Sequence, residues 1–69
     1  ILQIDFADGS RIVVNRHDAA QEIWVAARSG GFHYRWQEGF WRDTRSGSEL
    51  LRTLSDLIST QAGEPVSLL

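Results

Sequence analysis

"IDFADGSRIVV", residues 4–14, decides the fold, because the length of its turn fixes which side chains share a face. Ile4 and Phe6 alternate with Asp5, and Ile12 and Val14 alternate with Arg11 and Val13. That period of two belongs to half-buried strands. A two-residue turn at Asp8-Gly9 would set Ile4 against Val13 and Phe6 against Arg11, mixing the faces. A three-residue loop, Ala7 to Gly9, instead pairs Ile4 with Ile12 and, one step outward, Leu2 with Val14. Such a loop is a type I turn closed by a bulge, with Gly9 in the left-handed conformation. The same register lays Asp5 opposite Arg11 on the outer face, a favourable cross-strand pair. The alternation runs from Ile1 to Phe6, so Ile1 reads as already inside the first strand.

Working outward, His17 to Ala20 form a connection and Gln21–Arg28 reads as a third strand. Ser29, Gly30 and Gly31 mark a turn, and Phe32–Gln37 reads as a fourth strand. With Ala27 opposite Phe32, the core side receives Ile23, Val25, Phe32, Tyr34 and Trp36. The other side then shows Glu22, Trp24, Ala26, Arg28, His33, Arg35 and Gln37. Glu38-Gly39 turns the chain into a short fifth strand, Phe40–Thr44, where Trp41 pairs with Trp36. Then the period changes. Leu50, Leu51, Leu54, Leu57 and Ile58 recur at helical spacing. Ser46 and Glu49 fit a capping box, and Gly63 followed by Pro65 is a stop signal. These predict a helix from Gly47 to Ala62.

The architecture is therefore α+β: an antiparallel sheet of five or more strands with a C-terminal helix packed on one face. One helix about 10 Å across cannot cover five strands about 4.8 Å apart. Part of the apolar face formed by Leu2, Ile4, Ile12 and Val14 should stay open.

Residues 1–69 make a single small domain. Nine acidic residues stand against seven arginines and no lysine, a balance that suggests neither a nucleic-acid nor an anionic membrane partner. No cysteine is present, which excludes disulfide staples and favours a reducing compartment. No apolar run approaches the roughly 20 residues of a membrane helix, and no signal peptide is visible. Catalysis has little support. The serines lack a visible base in a nucleophile motif, and Gly30-Gly31 is a turn rather than a phosphate loop.

Trp24 is the residue that needs a function. It shares its face with Glu22, Ala26, Arg28, His33 and Arg35, which cannot form a core, and Asn15 ends a neighbouring strand on that side. An indole on such a face is the kind of anchor enriched at interface hot spots. Its replacement by alanine should then leave folding within about 0.5 kcal/mol of the parent, as for ordinary surface changes. His17 and His33 lack short metal-ligand spacing and are read with the docking face. Asp5, Asp8, Asp18 and Glu22 are oxygen donors for a loosely held hard cation, or else four solvated carboxylates.

The ordered words "FADGSRIVVNR" (6–16), "EIWVA" (22–26), "SGGFHYRW" (29–36), "FWRDTRSG" (40–47) and "QAGEPVS" (61–67) resemble the frataxin family, in its bacterial CyaY-type branch. The resemblance implies an α/β sandwich with two helices over one sheet face. Here the first helix and the start of the first strand are missing, so the chain reads as truncated at its N-terminus. It also implies a part in iron-sulfur cluster assembly in the bacterial cytoplasm, with weak iron binding and docking on the cysteine desulfurase and the scaffold protein through the open sheet. The partner-binding positions are then Asn15, His17, Glu22, Trp24 and His33. Asp5 and Asp8 are the metal candidates that remain, the main acidic ridge of the family being expected before Ile1, on the first helix. Three departures stand out: His17, Asp18 and Ala19 replace the usual Gln-Glu-Pro; Glu22 replaces a glutamine; and Ala7 sits where relatives often carry an acid. The rival reading is a generic protein-interaction module with an exposed sheet, unrelated to iron.

Overall fold

The computed structural model describes residues 1–68. Five strands, β1 (Leu2–Asp5), β2 (Arg11–His17), β3 (Glu22–Ala27), β4 (Gly30–Gln37) and β5 (Phe40–Asp43), precede one helix, α1 (Leu50–Ala62). The strands form an antiparallel meander in the order β1-β2-β3-β4-β5. The first hairpin has the expected register, with Ile4 opposite Ile12, Leu2 opposite Val14 and Asp5 opposite Arg11. Gly9 closes its turn at φ 87°.

Ile1 corrects the sequence reading. It stands before β1 rather than inside it and is 95% exposed. The reason is the ladder, which ends at Leu2 opposite Val14 and gives Ile1 no partner on β2. Alternation alone does not show where pairing stops.

Between β3 and β4 the register differs from expectation by two residues. Val25, rather than Ala27, lies opposite Phe32, and Ala27 lies opposite Gly30. The glycines are strand residues, so the turn needs only Arg28-Ser29. A slip of two leaves every side chain on its expected face, so the assignment of faces survives. Glu38 (φ 53°) and Gly39 (φ 86°) form the last hairpin turn with both central residues left-handed, as a type I′ turn requires.

The core is small: Ile12, Val25 and Tyr34 from the sheet, Leu50 and Leu54 from α1. The helix begins three residues later than a capping box at Ser46 and Glu49 predicts. Asp43 Oδ1 accepts from the backbone N–H groups of Arg45 and Ser46, and Gly47 takes φ 77°, so this segment is a turn. Glu49, not Ser46, is the N-cap; its carboxylate accepts from Leu51 N and Arg52 N at 2.9 and 3.2 Å. Leu51 then points to solvent. Gly63, at φ 74°, ends α1 as a left-handed cap.

α1 does not reach the far end of its own sheet face. Trp36, expected in the core, is 56% exposed and packs edge-on with Trp41, ring centroids 5.5 Å apart. Leu2, in the outermost strand of that face, is 58% exposed. An open recess of about 570 Å³ lies beside Trp36 and Trp41, bordered by Arg16, Asp18 and Gln21. Of the four side chains expected to stay open only Leu2 does: Ile12 is fully buried and Ile4 and Val14 pack against the core. What one helix over five strands leaves bare is Leu2 at one side and Trp36 at the other.

Gln61 fastens the end of α1 to the sheet. Its buried amide accepts from Arg28 N at 3.1 Å and donates to Ser10 Oγ at 3.0 Å, joining two hairpin turns. Gln61→Ala strands these groups and should lower unfolding stability by about 1–3 kcal/mol, read from urea midpoints. A loss under about 0.5 kcal/mol, typical of a surface change, would deny the fastening role.

Candidate functional site

On the face opposite α1, cross-strand pairing puts Asn15, Trp24 and His33 in one row and His17, Glu22 and Arg35 in the next. The side chains lean together across the rows. Trp24 is stacked between two imidazoles, His17 at 3.5 Å and 29°, His33 at 4.5 Å and 10° between centroids and planes. Trp24 Nε1 donates to Glu22 Oε1 at 2.8 Å, and Arg35 Nη2 donates to Glu22 Oε2 at 2.7 Å. Asn15 Nδ2 lies 3.3 Å from His17 Nε2, a bond made in the tautomer that leaves that nitrogen bare.

All five residues expected at the docking face are thus neighbours, but two stand differently than expected. Glu22 is not a solvated carboxylate. It is 8% exposed, enclosed by the indole that bonds it and by the Arg35 guanidinium. Trp24 is 36% exposed, so part of its ring is open while its faces are held by the histidines. Pattern reading assigns faces and cannot see a side chain folding over its neighbour two residues away.

The indole hydrogen bond, followed by the Arg35 hydrogen bond, holds the Glu22 carboxyl below its ordinary range, against the opposing effect of desolvation. A folded-state pKa below the unfolded one adds stability that is fully present above the unfolded value and lost as pH falls through the folded one. Glu22→Gln should therefore cost most at neutral pH, and its difference from the parent in urea midpoint should shrink on acidification below the carboxylate range. A pH-independent difference would mean that the charge of Glu22 is not what the cluster uses.

A groove of about 250 Å³ lies beside the indole, bordered by Val13, Ala26, Gly31, Phe32 and His33. A second recess of about 310 Å³ shares Gly31 and His33 with it and adds Thr44 and Arg45. Sequence reasoning missed Arg45, because nothing in its spacing shows that a turn after β5 returns to β4. Two bonds make that return: Thr44 N donates to His33 O and Arg45 Nη2 donates to Gly31 O, both at 2.9 Å.

The metal candidates stand elsewhere. Asp5 faces Arg11 at 3.7 Å and accepts from Gln3 Nε2. Asp8 accepts from the backbone and hydroxyl of Ser10 and from Arg28 Nη1 at 2.8 Å; the Ser10 bonds, then Arg28, hold its carboxyl below the ordinary range. Ile1 brings no side-chain donor to them, and the acidic ridge expected before it lies outside the described residues. Among the described residues no three His, Cys, Asp or Glu side chains converge as metal ligands.

Compared with known proteins, residues 1–64 match the frataxin-like domain family. The chain belongs to the frataxin/CyaY family. Over 68 residues this frataxin-family chain is 60% identical to a protein of Dechloromonas aromatica and 48% identical to one of Paraburkholderia phymatum, each named iron-sulfur cluster assembly protein CyaY. Both alignments take in 99% of the chain but only 65% of the relative's length. The solved frataxin of Psychromonas ingrahamii superposes with a TM-score of 0.88 at 33% identity, over 97% of this chain and 64% of that one. The five-stranded sheet with its C-terminal helix is thus a frataxin fold in part. Among the described residues no helix is long and apolar enough to cross a membrane.

Proposed function

We propose that the protein serves iron-sulfur cluster assembly as an iron-binding regulatory adaptor, docking on the cysteine desulfurase and the scaffold protein through its open sheet face. The observation that carries this reading is the half-open Trp24, held between His17 and His33 over a buried Glu22, on the sheet face that α1 leaves uncovered. A rigid indole offers a large contact area at little entropic cost. Membership in a family whose relatives are named for cluster assembly supplies the partner class. On this reading the protein is not an enzyme, works in the bacterial cytoplasm, and binds neither nucleic acid nor membrane.

For iron, the residues present fit a tight site poorly. Asp8 is engaged by Ser10 and Arg28, Asp5 stands beside Arg11, and among the described residues no set of three donors converges on a hard cation. Iron binding by this stretch is accordingly weak, with these two carboxylates as its loose ligands.

The test is titration of the protein into purified cysteine desulfurase and scaffold of the same cell, followed calorimetrically. Saturable binding that shifts the amide resonances of Asn15, Trp24 and His33 supports the reading. Binding that shifts only the α1 face, or no binding to either protein, overturns it and leaves the iron-independent interaction module.

A further inference from the structure

Four of the seven arginines face a carboxylate: Arg11 faces Asp5, Arg16 Asp18, Arg28 Asp8 and Arg35 Glu22, at 3.7, 2.8, 2.8 and 2.7 Å. Among the described residues Arg42, Arg45 and Arg52 lack an ion pair. Arg42 and Arg52 share their recess with Glu49, whose charge lies close by. Arg45 does not. Its recess is bordered by Gly31, His33 and Thr44, with no acid among them. The bond from Nη2 to Gly31 O fixes the guanidinium at the rim and leaves its other N–H groups to an outside acceptor. Because Gly31 and His33 also border the Trp24 groove, the two recesses make one channel: apolar and aromatic at one end, cationic at the other.

We infer that this channel receives a segment of a partner protein that lays an apolar side chain beside Trp24 and extends an aspartate or glutamate to Arg45. The inference rests on the docking reading above and adds the chemistry of what docks. Charge complementarity selects the occupant. A guanidinium matches a carboxylate with two parallel hydrogen bonds. A neutral or basic segment covering Arg45 would strip its water without replacing it. A nucleic-acid backbone needs several adjacent cations, and the other charges near this channel are already paired, on a chain of net charge −2.

The test uses two blocked hexapeptides, alternating leucine with aspartate or leucine with asparagine, titrated into ¹⁵N-labelled protein. The aspartate peptide should shift the Trp24 Nε1–H and Arg45 Nε–H resonances together, and the asparagine peptide should bind about tenfold more weakly, as the loss of one charge-assisted bond implies. Arg45→Gln should bring the aspartate peptide down to the asparagine level, Arg45→Lys should restore part of the difference, and Arg52→Gln should preserve it. The side chain of Arg45 is exposed, so the variants should keep the parent's dispersed spectrum. Equal affinity for the two peptides, a preference that survives Arg45→Gln, shifts confined to Arg42 and Arg52, or no binding at millimolar peptide would each overturn the inference. The two readings fail separately. If the desulfurase and scaffold do not bind while the aspartate peptide seats at Trp24 and Arg45, only the functional assignment falls. If those proteins dock through Trp24 and the peptides are not told apart, only the carboxylate requirement falls.

Discussion

Leu54→Ala is expected to lower the unfolding free energy by about 2–5 kcal/mol, the range for deleting a buried leucine from a packed core. Leu54 is 7% exposed and sits with Leu50 against Ile12, Val25 and Tyr34, the other buried apolar side chains of the core. So small a core has little slack. The sheet cannot collapse into the vacated space, because its backbone is pinned by ladders on both sides of β3. The net stability of a domain is about 5–15 kcal/mol, and a chain of this size belongs near the lower end. The substitution therefore removes a large share of the total and should move the urea midpoint far without altering the slope. The neighbouring Leu51→Ala is the control: it faces solvent and should change stability by less than about 0.5 kcal/mol. A loss below about 1 kcal/mol at Leu54, or equal losses at both positions, would mean that α1 is seated differently on the sheet.

The contrast between Leu51 and Leu54 marks how far the sequence could be read. Alternation in a hairpin carries its own check: the wrong loop length puts Ile4 against Val13, so the β1–β2 register follows from the residues alone. Helical leucine spacing says that a helix exists but not where it starts, since that depends on what captures the backbone before it. Here the captor is the side chain of Asp43, held at the end of β5 by pairing opposite Tyr34. The cluster around Trp24 was legible because each strand alternates. The enclosure of Glu22 by Trp24 was not, being a matter of side-chain rotamers. Ser55 and Ser59, unremarkable as potential nucleophiles, hold the C-terminal tail along α1: Ser59 Oγ accepts from Val66 N and Ser55 Oγ from Leu68 N, both at 2.9 Å. No local pattern announces a partner seven or thirteen residues away.

Trp24→Ala should weaken docking on the partner protein by at least about 2 kcal/mol, roughly thirtyfold in Kd, if the indole is the hot spot its placement implies. The structure changes what the same substitution does to folding. A freely exposed tryptophan would cost almost nothing, but this one stacks on His17 and His33 and satisfies Glu22 Oε1. Aromatic pairs are worth about 0.5–1.5 kcal/mol each beyond buried area, so a stability loss of about 1–2 kcal/mol is expected instead of under 0.5. These effects can be separated by magnitude. If the parent has about 5 kcal/mol of stability, losing 2 leaves about 3, and more than about 99% of the molecules stay folded. Unfolding then weakens apparent binding by about 1% at most, against the thirtyfold loss expected from the missing anchor. The open part of the indole ring carries the difference, because it is what a partner can reach. The measurement is a pair of isotherms on folded parent and variant, beside their urea midpoints. Docking unchanged within about twofold, with the stability loss present, would assign Trp24 to holding the cluster together and move the binding surface toward His33 and Arg45.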